Sequence, residues 1–211
     1  MDIVERMTGL AELGPRWVLW LLFALSVVAI AVIIERVVLL LSSRDDVARL
    51  RVELRRLLDA GDEGAARRRL EASPSFEARV AMAGLEGTGA EGADERMQGE
   101  QELARLSLER RLAVLGTLGN NAPFIGLLGT VIGIVRAFRE LENAGSQVSA
   151  GLMAEIGEAL IATAVGLLVA LPAVAAFNAL QRVVRARIGQ SDVLRREVLS
   201  YLRRGALPAA P

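Results

Sequence analysis

The stretch that decides the fold is "NNAPFIGLLGTVIGI", residues 120–134, which lies inside a charge-free run over residues 112–135. A run of this length can cross a bilayer, since about 20 apolar residues cover a hydrocarbon core of roughly 30 Å. The stretch nevertheless contains two asparagines, a proline, a threonine and three glycines, most of which weaken helices. We predict a transmembrane helix in which these residues mark a surface that does not face lipid.

Small residues gather on one side of this predicted helix, around Thr130, when residues are placed about 100° apart. They are Gly119, Pro123, Gly126, Thr130, Gly133 and Ala137. In lipid, such a face lets helices approach closely. These glycines, Pro123 and the adjacent Gly129 are therefore predicted to set helix packing and pore shape, together with Gly166 and Pro172 of the third apolar run described below. Pro123 has no backbone N–H, so the Gly119 carbonyl needs a partner from another helix, a water or an asparagine.

Two further runs, residues 17–34 and 159–180, are also long enough to span a bilayer. In the later run, Gly166 and other small residues surround Thr163, and Pro172 lies about two turns before the inner end. Two spans with a threonine beside small residues suggest a narrow space touched by hydroxyl groups. The alternative is tight packing in which each threonine bonds to its own helix backbone, and the sequence leaves both open.

Glu158 immediately precedes the third charge-free run, with Glu155 one turn before it. A carboxylate near the membrane core costs about 2.5–3.5 kcal/mol on insertion scales, so such a residue suggests a function. Glu158 is equally compatible with a place at the outer interface. It lies about 140° from Thr163 around the helix, so one pore stripe cannot contain both, and Glu158 is a candidate for a seam between subunits.

The residues flanking the first run indicate a true span and not a cleaved signal peptide. Glu35 and Arg36 follow the run where a small-residue cleavage site would be needed. We interpret Glu35 and Arg36 as an interfacial charge pair that ends the span. We prefer this interpretation to a role in an ion conduction path.

Arginines accumulate after the first span, before the second and after the third, which places those ends in the cytoplasm.

The region between the first two spans is rich in helix formers, with a helix from Val47 that ends at Gly61, another that starts at Ser73-Pro74, and a flexible linker at 87–93. The predicted order is an outer N-terminal segment (1–16), span 1 (17–41), a cytoplasmic helical domain (42–111), span 2 (112–138), an outer loop (139–155), span 3 (156–180), and a cytoplasmic C-terminal helix and tail (181–211).

The composition supports a membrane protein and argues against common enzymes. Hydrophobic residues make up 53% of the 211, and the formal charges cancel, which is too apolar for an ordinary soluble domain. Cysteine and histidine are absent, which excludes disulfides, thiolate or imidazole metal sites and Ser-His or Cys-His nucleophile pairs. We expect no enzyme activity, no metal, no other cofactor and no nucleic-acid partner.

The segments "LGTLGNNAPFIGLLGTVIGIVRAF" (115–138) and "IGEALIATAVGLLVALPAVAAFN" (156–178) resemble the MotA/TolQ/ExbB proton channel family, and the three-span order resembles its TolQ/ExbB branch. The resemblance implies an all-α ring-forming homo-oligomer, a pentamer, in the inner membrane of a Gram-negative bacterium. It implies a single-span ExbD/TolR/MotB-type partner whose membrane Asp carries the proton, and a TonB/TolA-like force-transmitting protein as a further candidate partner.

By motif position, the resemblance makes Thr130 and Thr163 pore-lining hydroxyls and Glu158 the polar residue of the third span. Asn120 and Asn121 depart from the family pattern, which leaves the contacts at the inner end of the pore open. We predict that Glu158→Ala abolishes work driven by the ion gradient while the ring still assembles, and that Glu155→Ala matters much less.

No predicted span contains a deeply placed carboxylate, so the proton carrier is expected in the partner. The function predicted is a pore subunit of a proton-driven motor, with sodium as the second choice of ion. The process powered stays open between nutrient uptake, envelope constriction and gliding motility. A structural membrane scaffold is the alternative, and an intramembrane hydrolase is disfavoured because spans 2 and 3 lack serine and the chain lacks histidine.

Overall fold

The computed structural model describes residues 14–87, 89–143 and 150–205. The first part of the predicted N-terminal segment, the middle of the predicted outer loop and the end of the predicted tail lie outside these residues. Within them the chain is all-helical. Its helices are α1 (Arg16–Ser42), α2 (Val47–Asp59), α3 (Glu63–Glu71), α4 (Phe76–Leu85), α5 (Gly89–Glu109), α6 (Leu112–Asn143) and α7 (Ala150–Gly205).

Three helical segments, which include nearly all of α1, α6 and α7, are long and apolar enough to cross a membrane. α1 is apolar on all sides and exposes large side chains, among them Trp20, Phe23, Ile30 and Ile34. A helix that is apolar all round and still uncovered is suited to lipid. The predicted all-α class with three candidate membrane-spanning helices is therefore confirmed for the described residues.

The chain divides into two compact units. The membrane unit comprises the described residues of Met1–Ile34 and Leu112–Asn178, and the bundle unit comprises those of Glu35–Arg111 and Ala179–Pro211. The core of the membrane unit is a cluster of Val18, Leu22, Ala122, Ile132, Val169 and Ala170. The fully buried side chains of the bundle unit include Leu50, Leu54, Val80, Met97, Leu194 and Val198.

Short polar side chains begin the first helices of the bundle unit. Asp46 accepts a hydrogen bond from the Arg49 N–H at the start of α2, and Ser75 accepts one from the Ala78 N–H at the start of α4, as N-cap residues do. Gly61 follows α2 with φ +73°, a left-handed conformation that glycine adopts without strain. The predicted helix ending at Gly61 and the helix start beside Ser73-Pro74 are thus confirmed, whereas the separate short helix α3 was not predicted.

The predicted flexible linker at residues 87–93 is wrong, because α5 already begins at Gly89. Ala93 is fully buried, and a Cβ added to Gly87 would lie 2.6 Å from the Cα atom of Ala93. The helix from Gly89 onward and the tight packing at Ala93 thus replace the loop that the glycine content of this region predicts.

Candidate functional site

Within the membrane unit, α6 and α7 pack along a seam of small residues that is centred on Gly126 and Gly166. A Cβ added to Gly126 would lie 2.7 Å from the Ala162 carbonyl oxygen, and one added to Gly166 would lie 2.7 Å from the Ala122 carbonyl oxygen. These distances are too short for real atoms, so the two helix backbones meet where neither residue has a side chain. The close approach is of the kind that small residues permit between membrane helices.

The other glycines named from the sequence lie along the same helix. Gly119 contacts Val174, and a Cβ on Gly133 would lie 2.5 Å from the Ala159 Cβ. Gly129 contacts α7 and also α1, because its neighbours are Ala162 and Val18.

The two prolines lie inside helices, Pro123 within α6 and Pro172 within α7. Pro123 is half-buried and Pro172 is exposed. The Asn121 side chain donates a hydrogen bond to the Thr117 carbonyl of its own helix at 2.8 Å.

Thr130 and Thr163 meet across the seam, where their hydroxyl groups are hydrogen-bonded to each other. The Thr130 hydroxyl also lies within hydrogen-bonding distance of two carbonyl oxygens, that of Ala159 at 3.2 Å and that of Gly126 at 3.3 Å. The Thr163 hydroxyl has the same Gly126 carbonyl at 3.3 Å. Each hydroxyl can donate only one hydrogen bond at a time. This half-buried pair therefore has more acceptors within reach, on both α6 and α7, than it has protons to donate.

Glu158 faces a different neighbour from Thr163. Its Oε1 atom accepts from the Nε of Arg16, at the start of α1, at 2.9 Å. The Glu158 side chain is 25% exposed, whereas that of Arg16 is 80% exposed. This agrees with the helical geometry, which separates Glu158 from the threonine stripe.

Glu155 is more enclosed than Glu158, with 16% of its side chain exposed. Its Oε1 atom lies 3.2 Å from the Nε of Arg136 on α6, and its Oε2 atom is buried without a hydrogen-bond partner among the described residues. The Arg136 side chain lies against Gly14, whose φ is +68° and which has no Cβ to obstruct it. This ion pair was not predicted, although Arg136 directly follows the charge-free run.

The bundle unit contains a buried ion pair that was also not predicted. Arg187 donates from Nε and Nη2 to the two carboxylate oxygens of Glu77, each at 2.8 Å, and the Glu77 side chain is fully buried. Arg187 also donates to the Ser43 carbonyl at 2.7 Å and lies 4.9 Å from the Phe76 ring centre. A signal was present, because Arg187 interrupts the apolar stripe of α7 beside Val184.

Two other arginines of the bundle unit pair with carboxylates that are more exposed than the arginines themselves. The Arg195 guanidinium donates to Asp94 at 2.6 Å and holds the pKa of that carboxyl below its usual value. Arg36, which follows Glu35 at the end of span 1, pairs with Glu35 at 3.2 Å and donates to the Ser107 carbonyl at 3.3 Å. These contacts join Arg36 to Glu35 and to α5, and the role of the pair in ending the membrane span stays a prediction.

Comparison with protein families adds the decisive observation. The profile of the MotA/TolQ/ExbB proton channel family matches residues 72–192, which is more than half of the chain and includes the whole seam. The chain belongs to this family. The matched residues contain Thr130, Thr163, Glu158 and the Arg136–Glu155 ion pair.

Individual relatives agree with the predicted TolQ/ExbB branch, which is confirmed. A putative biopolymer transport protein ExbB-like 2 of Helicobacter pylori is 41% identical over 93 residues, 44% of this chain and 62% of that protein. The biopolymer transport protein ExbB of Xanthomonas campestris pv. campestris is 39% identical over 99 residues, 47% of this chain and 39% of that protein. The Tol-Pal system protein TolQ of Haemophilus influenzae is 42% identical over 105 residues, 50% of this chain and 46% of that protein. The chain thus spans less than two thirds of the length of each of these relatives.

Proposed function

We propose that this membrane protein is the pore subunit of a proton-driven motor in the inner membrane of a Gram-negative bacterium. The observation on which the proposal rests most is the pair of threonine hydroxyls across the α6–α7 seam, within the residues that match a proton channel family. The names of the relatives point to biopolymer transport or the Tol-Pal system as the process powered. We expect no enzyme activity and no cofactor.

In this proposal several copies form a ring, a pentamer by resemblance, with the N-terminus outside and the C-terminus inside. The three apolar runs contain no carboxylate, so a single-span ExbD/TolR-type partner supplies the membrane aspartate that takes up the proton. The threonine hydroxyls both donate and accept hydrogen bonds, which suits them to a path for protons or water.

Removal of the hydroxyls tests the proposal directly. We expect Thr130→Val and Thr163→Val each to lower the proton flux of the assembled complex with its partner at least about ten-fold. This bound is set below the roughly 10²–10⁴-fold that a positioned proton-transfer group contributes, because a hydroxyl in a path relays protons without being the acid or base. Thr130→Ser and Thr163→Ser should retain most of the flux, because they keep the hydroxyl group. The measurement is proton uptake into vesicles that contain the complex, with assembly checked on native gels.

Thr117 on α6 provides the matched control, because its hydroxyl bonds to its own helix, at the Ala113 carbonyl at 3.0 Å, and its side chain is exposed. Thr117→Val should leave the flux unchanged. Normal flux and normal assembly in both seam variants would instead favour a structural scaffold. That second function has one observation in its favour, since the Thr130 hydroxyl is already satisfied by the Gly126 carbonyl of its own helix.

The two acidic residues at the start of the third span provide a further prediction. We expect Glu158→Ala to abolish gradient-driven work while the ring still assembles, because its partner Arg16 is exposed and such pairs add little stability. Glu155→Ala leaves Arg136 without its carboxylate, so Glu155→Gln, which keeps an acceptor oxygen for Arg136, is the fairer comparison. Glu155→Gln should retain most of the work. Equal losses from Glu158→Ala and Glu155→Gln, measured in the same cells, would contradict the assignment to Glu158.

A further inference from the structure

A cavity of about 840 Å³ opens in the bundle unit beside the last turns of α1 and the middle of α7. Its apolar wall is formed by Val37, Leu40, Leu41, Leu180 and Val183. Its size and its combination of an apolar wall with a few polar groups are those of a site for a small molecule.

The wall lies where two predicted spans end, since span 1 extends to residue 41 and span 3 to residue 180. Leu41 is 60% exposed and Val183 is 44% exposed. Apolar side chains at the inner boundary of a bilayer are within reach of the acyl chains of the inner leaflet. The cavity is therefore placed to accept a lipid with its headgroup on the cytoplasmic side.

Two charged side chains on the rim of this cavity already have partners. Arg187 binds Glu77, and Asp45 accepts a hydrogen bond from Ser73 at 2.6 Å and lies 3.7 Å from Arg69. Neither Arg187 nor Asp45 is available to a ligand without breaking these contacts.

Arg44 and Asp46, also on the rim, retain free capacity. The Arg44 side chain is exposed and makes no hydrogen bond or ion pair within the described part of the chain. Asp46 uses its Oδ1 atom to cap α2, while its Oδ2 atom has no partner among the same residues. The rim thus offers one free cation and one free carboxylate oxygen, two residues apart, with Gln190 beside them.

We propose that this cavity binds a zwitterionic phospholipid with a primary ammonium group, of the phosphatidylethanolamine type. Its phosphate would pair with Arg44, its ammonium would donate to Asp46, and an acyl chain would cover the apolar wall. An anionic phosphatidylglycerol headgroup offers Asp46 no cation. A phosphatidylcholine headgroup offers a cation without the N–H donors that form charge-assisted hydrogen bonds.

The test uses the full chain in detergent micelles with equal amounts of the three phospholipids, all with the same acyl chains. Native mass spectrometry measures which lipid stays bound. We expect phosphatidylethanolamine to be retained about ten-fold more than either of the others, the difference that one hydrogen bond to a charged group supplies. None of these measurements needs an ion gradient, so they can fail or succeed independently of the proposed motor function.

Three variants assign the contacts. Arg44→Gln should lower retention of all three lipids, because each contains the phosphate. Asp46→Asn should remove the preference for phosphatidylethanolamine and leave α2 intact, since asparagine caps helices as well as aspartate does. Arg185→Gln, an exposed change on α7 outside the lining, is the control and should behave as the unmodified chain.

Equal retention of the three lipids by the unmodified chain would overturn the proposal. So would a preference for phosphatidylethanolamine that survives Asp46→Asn. Efficient disulfide cross-linking between copies of a Leu41→Cys variant in the lipid-loaded protein would also overturn it, because a second copy would then cover the wall.

Discussion

Replacing Glu77 by alanine is expected to lower the free energy of unfolding of the bundle unit by about 3–5 kcal/mol, the usual cost of removing one partner from a buried ion pair. Arg187 would keep its buried position and its hydrogen bond to the Ser43 carbonyl, but its charge would have no carboxylate opposite. The measurement is hydrogen exchange of the bundle-unit amides in the full chain, followed by mass spectrometry, because exchange reports local opening free energies.

The pair between Arg204 and Asp59 provides the matched control. It also joins α7 to another helix of the bundle unit, at 2.7 Å, but both side chains are largely exposed. Arg204→Ala should therefore change the opening free energy by no more than about 1 kcal/mol. A combined Glu77→Leu and Arg187→Met variant should recover much of the loss, because apolar replacements of a buried pair are often neutral. A loss from Glu77→Ala no larger than that from Arg204→Ala would show that Arg187 finds solvent or another partner.

Replacing Gly126 by valine is expected to separate α6 from α7 and to lower the yield of assembled protein. The new side chain would occupy space now filled by the Ala162 carbonyl, the Thr163 backbone and Gly166. Overpacking of this kind costs about 1–3 kcal/mol, and more where backbone must move. Because the valine contacts backbone atoms on α7, we expect the upper part of this range, measured by unfolding of the full chain in mixed micelles.

Gly157 on α7 is the control for this change, because nothing lies within 4 Å of the position that its Cβ would take. Gly157→Val should change the stability only by the small difference in helix propensity between the two residues, a gain of a fraction of about 1 kcal/mol. Similar losses from Gly126→Val and Gly157→Val would mean that valine acts through membrane insertion or another general effect, and not through the α6–α7 seam.

Much of the membrane architecture could be predicted from the sequence. The three apolar runs predict three long helices because the period and length of an apolar segment are local properties, and glycine at positions 126 and 166 predicts close helix contacts because a missing side chain is visible in the sequence. The motifs around Thr130 and Thr163 likewise predict the family, because they combine small, polar and apolar residues in a fixed order.

The partners of the charged residues could not be predicted in this way. Glu77 and Arg187 are 110 positions apart, and Arg136 and Glu155 lie on different helices, so their pairing depends on how the helices pack. Residues 87–93 were misread for the same reason, since Ala93 is buried by contacts that local glycine content does not reveal.

The sequence by itself determined where the chain is apolar enough to enter a membrane and which faces of its helices are small, because both follow from residue type and helical period. The tertiary structure alone decided which buried charges are neutralised and which rim groups, the Arg44 guanidinium and the Oδ2 atom of Asp46, have no partner among the described residues. The physical reason is that burying an unpaired charge is costly, so the folded chain must bring opposite charges together wherever packing removes water, and only the packed structure shows where that happens.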